Sequence, residues 1–170
     1  MADYNSKNEK GECIFCEIVK GNIPSNGFFW EDENHMAFLT PWASTEGFSV
    51  VIPKKHLTSD CLELKDEDLQ KLILASKKVS KILKKYFSDV GRVGLMMEGT
   101  GVDHAHTKLF PMHDTAHMKK GEWKQYLDTE EVYFKKYVGY ITSQEGPKQN
   151  EVKIKDLAKK LKEIQNISEA

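Results

Sequence analysis

Gly99-Thr100-Gly101-Val102-Asp103-His104-Ala105-His106-Thr107-Lys108-Leu109-Phe110-Pro111 is the stretch on which the reading of this chain turns. From His104 to Phe110 it predicts a strand, and side chains along a strand alternate between its two faces. His104, His106 and Lys108 then share one face, spaced by roughly 6.5–7 Å, while Ala105, Thr107 and Leu109 share the other. Two imidazoles and an ammonium in a row beside a glycine turn suit a phosphate group. An imidazole can attack phosphorus, lysine can hold the charge, and the N–H groups of Gly99, Thr100 and Gly101 can bind oxygens. The same pattern also fits two partly buried histidines on a strand edge, satisfied by backbone carbonyls.

Working outward, Arg92 to Met97 reads as a neighbouring strand across the glycine turn. Phe48 to Ile52 is a β-branched run stopped by Pro53, as in a central strand. Phe28 to Trp30 and His35 to Leu39 read as two further strands joined by the turn-prone residues 31–34. Glu17 to Ile23 is a short helical candidate ended by Pro24. A long helix runs from an N-cap at Asp66 to about Phe87, with Leu69, Leu72, Ile73, Ser76, Val79, Ile82 and Leu83 at helical spacing. Its lysine-rich face, Lys71, Lys77, Lys78, Lys81, Lys84 and Lys85, reads as solvated. A last helix over 151–165 carries Ile154, Leu157, Ala158, Leu161 and Ile164 as one stripe for packing. An antiparallel sheet with one long helix and a C-terminal helix is an α+β domain.

The 170 residues, 39% hydrophobic and 30% charged, fit one globular domain without external staples. A net charge of −1 supplies no general field for nucleic acid, so anion binding must be local. No apolar run reaches membrane-spanning length, and three cysteines without a signal peptide argue against a disulfide scaffold. The expectation is a cytoplasmic protein that binds neither nucleic acid nor membrane. Residues 1–10 predict a mobile tail. Trp123, Tyr126, Tyr133, Phe134, Tyr137 and Tyr140 crowd a charged segment, which suggests a covering element or a subunit contact.

Cys13 and Cys16 form a C-x2-C pair, the bite of tetrahedral zinc sites. No second C-x2-C exists, so further ligands would have to be histidines or carboxylates. His56, just past a strand end, and His104 are placed to complete a Cys13/Cys16/His56/His104 site. Four protein ligands close the coordination sphere and make such a zinc structural. The competing reading is a pair of reduced cysteines acting as small hydrophobes.

Cys13-Ile14-Phe15-Cys16-Glu17-Ile18-Val19-Lys20-Gly21-Asn22-Ile23-Pro24, Ala37-Phe38-Leu39, Val51-Ile52-Pro53-Lys54-Lys55-His56 and His104-Ala105-His106 together resemble the histidine triad (HIT) superfamily, in its usual order, over roughly residues 13–112. The resemblance implies a HIT-like domain at 11–112, a C-terminal extension at 113–170 packed on it, and a homodimer formed through sheet and helix. It matches Cys13, Cys16, His56 and His104 to zinc ligands. It matches His106 to the nucleophile that forms a nucleotidyl-histidine intermediate, and it maps a purine pocket onto Ile14, Phe15 and Ile18, residues that equally suit a core. Three positions depart from the family pattern. Lys108 stands where a histidine or glutamine is usual, Thr40 where an acid commonly holds the ribose, and Met97 where an asparagine precedes the glycine loop.

The function implied is a nucleotide hydrolase or nucleotidyl transferase acting at the α-phosphorus of a nucleoside polyphosphate or phosphoramidate. Neutral His106 would attack, its other ring nitrogen fixed by a backbone carbonyl, with Lys108 and the Gly99–Gly101 amides holding the phosphoryl charge. That geometry calls for an exposed His106 ring beside a glycine-lined nest. The rival readings are a nucleotide-binding or sensing module without efficient catalysis, and a zinc-stabilised interaction module using residues 123–140.

Overall fold

Glycine and the Asx turn decide where the first elements stop. The computed structural model describes residues 12–25, 27–123, 131–143 and 146–168, with side chains as far as 161 in the last stretch. The expected tail at 1–10, and Tyr126 of the aromatic segment, lie outside the described residues. The first helix, α1 (Ile14–Val19), starts earlier than its apolar pattern suggests. It ends at Lys20, where the N–H groups of the cap return to the Cys16 and Ile18 carbonyls and Gly21 takes a left-handed φ of 76°. Gly21 thus terminates the helix before Pro24 is reached.

Strands β1 (Phe28–Glu31) and β2 (His35–Leu39) are joined by a turn in which Asp32 Oδ1 accepts from the amides of Asn34 and His35. Then come β3 (Ser49–Pro53), a short 3₁₀ turn at Cys61–Glu63, and the long helix α2 (Asp66–Tyr86). Lys65 caps α2, so Asp66 is its first helical residue. Acids fill the first turn and Lys84 and Lys85 the last, in the sense that favours the helix dipole. Strands β4 (Arg92–Met96) and β5 (Thr107–Met112) and a 3₁₀ helix at Ala116–Lys120 follow. The five strands pair antiparallel throughout in the order β1-β2-β3-β5-β4.

Period-two alternation divides the core into two layers. On one face Ala37, Val51, Ala105 and Leu109 pack against Leu72, Ala75, Val79 and Leu83 of α2. On the other, Met36, Phe38, Val50 and Ile52 pack with Phe15 of α1 and Val102. β3 is buried on both faces, which is why it reads as an uninterrupted β-branched run. The stripe of α2 is narrower than its spacing suggests, because Ile73 and Ile82 are exposed. Its buried hydroxyl is satisfied. Ser76 Oγ donates to the Leu72 carbonyl at 2.8 Å and so accepts from Thr107 Oγ1 at 2.7 Å.

The chain divides into two compact units, Met1–Lys124 and Gln125–Ala170. In the second, helix α3 (Glu151–Ser168) is capped by Asn150, whose Oδ1 accepts from the amides of Val152 and Lys153. Ile154, Leu157 and Leu161 of the stripe are exposed, as are Tyr133, Phe134, Tyr137 and Tyr140. An amphipathic pattern sets which residues share a side of the helix, but not that anything covers it. No helix among the described residues is long and apolar enough to cross a membrane.

Candidate functional site

The residues around positions 104 and 106 are held by backbone groups on three sides. The β5 ladder begins only at Thr107, so His104 and His106 lie in the segment leading into the strand rather than within it. They are still fixed. The Ala105 amide bonds to the Leu57 carbonyl at 2.9 Å, which takes this segment away from the sheet and towards the loop after β3. The alternation expected of a strand survives this departure: Ala105, Thr107 and Leu109 face α2, and both histidines face α1.

His104 is fully buried and uses both ring nitrogens. Nε2 lies 2.8 Å from the Pro53 carbonyl, an acceptor only, so Nε2 carries the proton and Nδ1 presents a lone pair. That lone pair points at sulfur: Nδ1 lies 3.6 Å from Cys13 Sγ and 3.5 Å from Cys16 Sγ. Cys16 Sγ is 3.3 Å from His56 Nδ1, and the four ligand atoms of Cys13, Cys16, His56 and His104 fall within 4.8 Å of one another. Tetrahedral zinc bound to sulfur and nitrogen needs S···N edges of about 3.5 Å. These residues fit the ion. The second ring nitrogen of His104, tied to a carbonyl, supplies the outer contact that orients a metal-bound imidazole. Burial, and then the neighbouring Cys13, push the Cys16 thiol up to about 11. A divalent cation would reverse that by binding the thiolate.

His106 is oriented the opposite way round. Its Nδ1 lies 2.8 Å from the His104 carbonyl, so the proton sits on Nδ1 and the lone pair on Nε2. This is the backbone acceptor that the sequence called for. The exposed ring is not found: His106 is only 3% exposed. The reason is Phe15, which sets its ring edge-on to both imidazoles at centroid distances of 5.8 Å to His104 and 5.6 Å to His106. The hydrogen bond of the His106 ring is made through Nδ1, which leaves the lone pair on Nε2 for other chemistry. Burial holds the pKa of His106 below the ordinary imidazole value, with Lys108 adding to the effect and the His104 carbonyl and Glu98 opposing it.

Lys108 does not join the row as a free cation. Its Nζ is 2.6 Å from Glu98 Oε2, and the Glu98 side chain is 6% exposed. Glu98 was not singled out from the sequence, although the β4–β5 register makes its position legible. Met96 pairs with Lys108, so Glu98, two residues further on, falls on the same side. Gly99 and Gly101 adopt left-handed φ values of 67° and 88°. Among the described residues, the amides of 99–101 donate to no other backbone group. The loop is braced from below. The Ser59 amide bonds to Asp103 Oδ1 at 3.0 Å, and a Cβ at Gly99 would stand 3.1 Å from the Ser59 carbonyl. Cys61 adds a further tie, its Sγ 3.6 Å from the carbonyl of His106.

Of the three residues suggested for a purine pocket, Ile18 reaches a cavity, where it meets Thr40 of the ribose position. Ile18 and Thr40 line a cavity of about 440 Å³, with Phe38 and Leu39 in its wall. Phe15 is turned to the histidines and packs on Phe38 at 5.6 Å, and Ile14 packs against the same core cluster.

An uncharacterised HIT-like protein of Methanocaldococcus jannaschii is 36% identical over 129 residues, covering 71% of this chain and 95% of that protein. A Schizosaccharomyces pombe protein named adenosine 5'-monophosphoramidase is 31% identical over 121 residues, covering 71% of this chain and 90% of its own length. The crystal structure of a HIT family member from Bacillus subtilis superposes with a TM-score of 0.53 at 29% identity, covering 67% of this chain and 82% of that one. The HIT domain family model matches residues 20–115, from the end of α1 through β5, and on that match this chain belongs to the HIT family.

Proposed function

We propose that the chain is a nucleotide hydrolase or nucleotidyl transferase that attacks the α-phosphorus of a nucleoside 5'-phosphoramidate through His106. The observation that carries this reading is the direction of the imidazole. Nδ1–H is held by the His104 carbonyl at 2.8 Å, which leaves the lone pair on Nε2 as the ring's nucleophilic position. A ring kept neutral by burial needs no prior deprotonation to act as a nucleophile. The activity for which the Schizosaccharomyces pombe relative is named supports a phosphoramidate as substrate.

The steps follow from that geometry. Nε2 forms a bond to the α-phosphorus as the P–N bond of the substrate breaks, and the amine leaves with the electron pair and takes a proton from solvent. The His104 carbonyl stabilises the imidazolium character that develops on the attacking ring. The glycine loop, its amides without backbone acceptors, is suited to the equatorial phosphoryl oxygens. Water or an acceptor phosphate then attacks phosphorus, the P–Nε2 bond breaks, and neutral imidazole is restored. The cavity beside Ile18, Phe38 and Thr40 has a volume suited to the nucleoside. A zinc ion at Cys13, Cys16, His56 and His104 would supply structural cross-linking of α1 to the loop carrying His106.

One observation favours the rival reading of a nucleotide-binding module: the ammonium at position 108 is already neutralised by Glu98. Rapid-quench kinetics with adenosine 5'-phosphoramidate separate the two. The enzyme shows a burst of amine release equal to the enzyme concentration, whereas a binder shows affinity and no burst.

A further inference from the structure

Lys108 follows His106 by two residues on the same face, and Glu98 is its partner in an ion pair. They are joined at 2.6 Å, and the carboxylate is the more deeply buried partner. Their charges cancel where a phosphate would arrive. A substrate anion seeking Lys108 must compete with a carboxylate already in contact, and separating a partly buried pair leaves a costly uncompensated charge. Every negative charge beyond the α-phosphoryl group also feels Glu98 through a medium of low dielectric. A phosphoramidate brings one such group and an uncharged leaving amine. A nucleoside triphosphate brings a leaving group with several charges and meets Lys108 already paired with Glu98.

We propose that Glu98 is a specificity-determining residue, which holds Lys108 in a neutral pair beside His106 and so selects nucleotides with uncharged leaving groups against nucleoside polyphosphates. This rests on the reading of His106 given above and adds the substrate preference of that site. Met96, paired with Lys108 at the end of β4, sets the register that brings the carboxylate there.

The test compares wild type, Glu98→Gln, Lys108→Gln and the double variant, using adenosine 5'-phosphoramidate and ATP. The expected result is a kcat/KM ratio that favours the phosphoramidate in wild type. It shifts towards ATP by at least about tenfold in Glu98→Gln, shifts further from ATP in Lys108→Gln, and returns near the wild-type ratio in the uncharged double variant. If Glu98→Gln does not fold, Lys108→Gln against the double variant carries the same comparison. A ratio in Glu98→Gln within about twofold of wild type overturns the proposal, as does a Lys108→Gln shift in the same direction as Glu98→Gln. Dissociation constants for AMP and ATP, by calorimetry, need no turnover. If His106 proves dispensable while Glu98→Gln still narrows the AMP-over-ATP affinity ratio, the nucleophile fails and the selection stands. If no variant binds either nucleotide, both are overturned.

Discussion

The carbonyl of His104 lies 2.8 Å from Nδ1 of His106, while the ring of His104 turns its own Nδ1 to the sulfurs of Cys13 and Cys16. One residue thus offers its side chain to a candidate metal site and orients its neighbour's imidazole with its backbone. The two imidazoles, two residues apart, present opposite nitrogens to their surroundings because each has a different nitrogen committed to a carbonyl.

Replacing His106 by asparagine should separate chemistry from packing. The introduced side-chain amide can still reach the His104 carbonyl, but nothing replaces Nε2. We expect kcat/KM with adenosine 5'-phosphoramidate to fall by on the order of 10³-fold or more with a modest change in Tm. His106→Ala should lose activity and also stability, because the ring fills space against Phe15. An asparagine variant with wild-type turnover would remove His106 as the nucleophile.

The metal prediction concerns affinity as well as stoichiometry. Metal analysis of the purified protein should give one zinc per chain, reduced by His104→Ala or Cys16→Ser, with a lower Tm in both. Because the Cys16 thiol stands near 11 without metal, zinc binding must displace its proton, and affinity should rise with pH. Zinc content unchanged in His104→Ala would take His104 out of the ligand set.

His113 provides a pH-dependent contribution remote from this chemistry. Its Nε2 lies 3.1 Å from the Glu46 carbonyl and its Nδ1 2.9 Å from Asp89 Oδ2, and these contacts raise its pKa above the ordinary imidazole value. A raised folded-state value means the stabilisation is complete below the unfolded pKa and disappears as pH rises through the folded one. Thermal melts at about pH 5.5 and about pH 8 should show that His113→Gln lowers Tm at the acid end and little at the alkaline end. An equal loss at both would show that the contribution is packing against Phe87, whose ring centroid is 5.0 Å away, rather than charge.

The Ser76–Thr107 pair tests the core. Ser76→Ala leaves a buried threonine hydroxyl unpaired and should cost about 1–3 kcal/mol. The Ser76→Ala/Thr107→Val double variant should recover most of that in denaturant melts. No recovery would place the cost in the packing of α2 on the sheet instead.

Much of this was legible in the chain. Alternation along Met36, Ala37, Phe38 and along Val50, Val51, Ile52 assigns residues to faces without knowledge of their partners. The same alternation sorted His104, His106 and Lys108 correctly, even though the ladder starts only at Thr107. C-x2-C spacing with two isolated histidines pointed to the cluster that the fold assembles. What escaped were contacts between distant segments. Phe15 covers His106 because α1 crosses the far layer of the sheet, and no local pattern carries that information. Glu98 meets Lys108 through the β4–β5 register, which follows only once those strands are known to pair. The exposure of Ile154, Leu157 and Leu161 shows the limit of periodicity from the other side, since a stripe is visible whether or not it is covered.

The nucleophile can be seen directly. Wild-type protein mixed with adenosine 5'-phosphoramidate, quenched under mildly alkaline conditions that preserve phosphohistidine-type bonds and digested, should yield the peptide containing His106 heavier by one adenylyl group, and His106→Asn should yield none. An enzyme that turns the substrate over with no such adduct in rapid-quench samples, or an adduct retained in the asparagine variant, would contradict attack by His106.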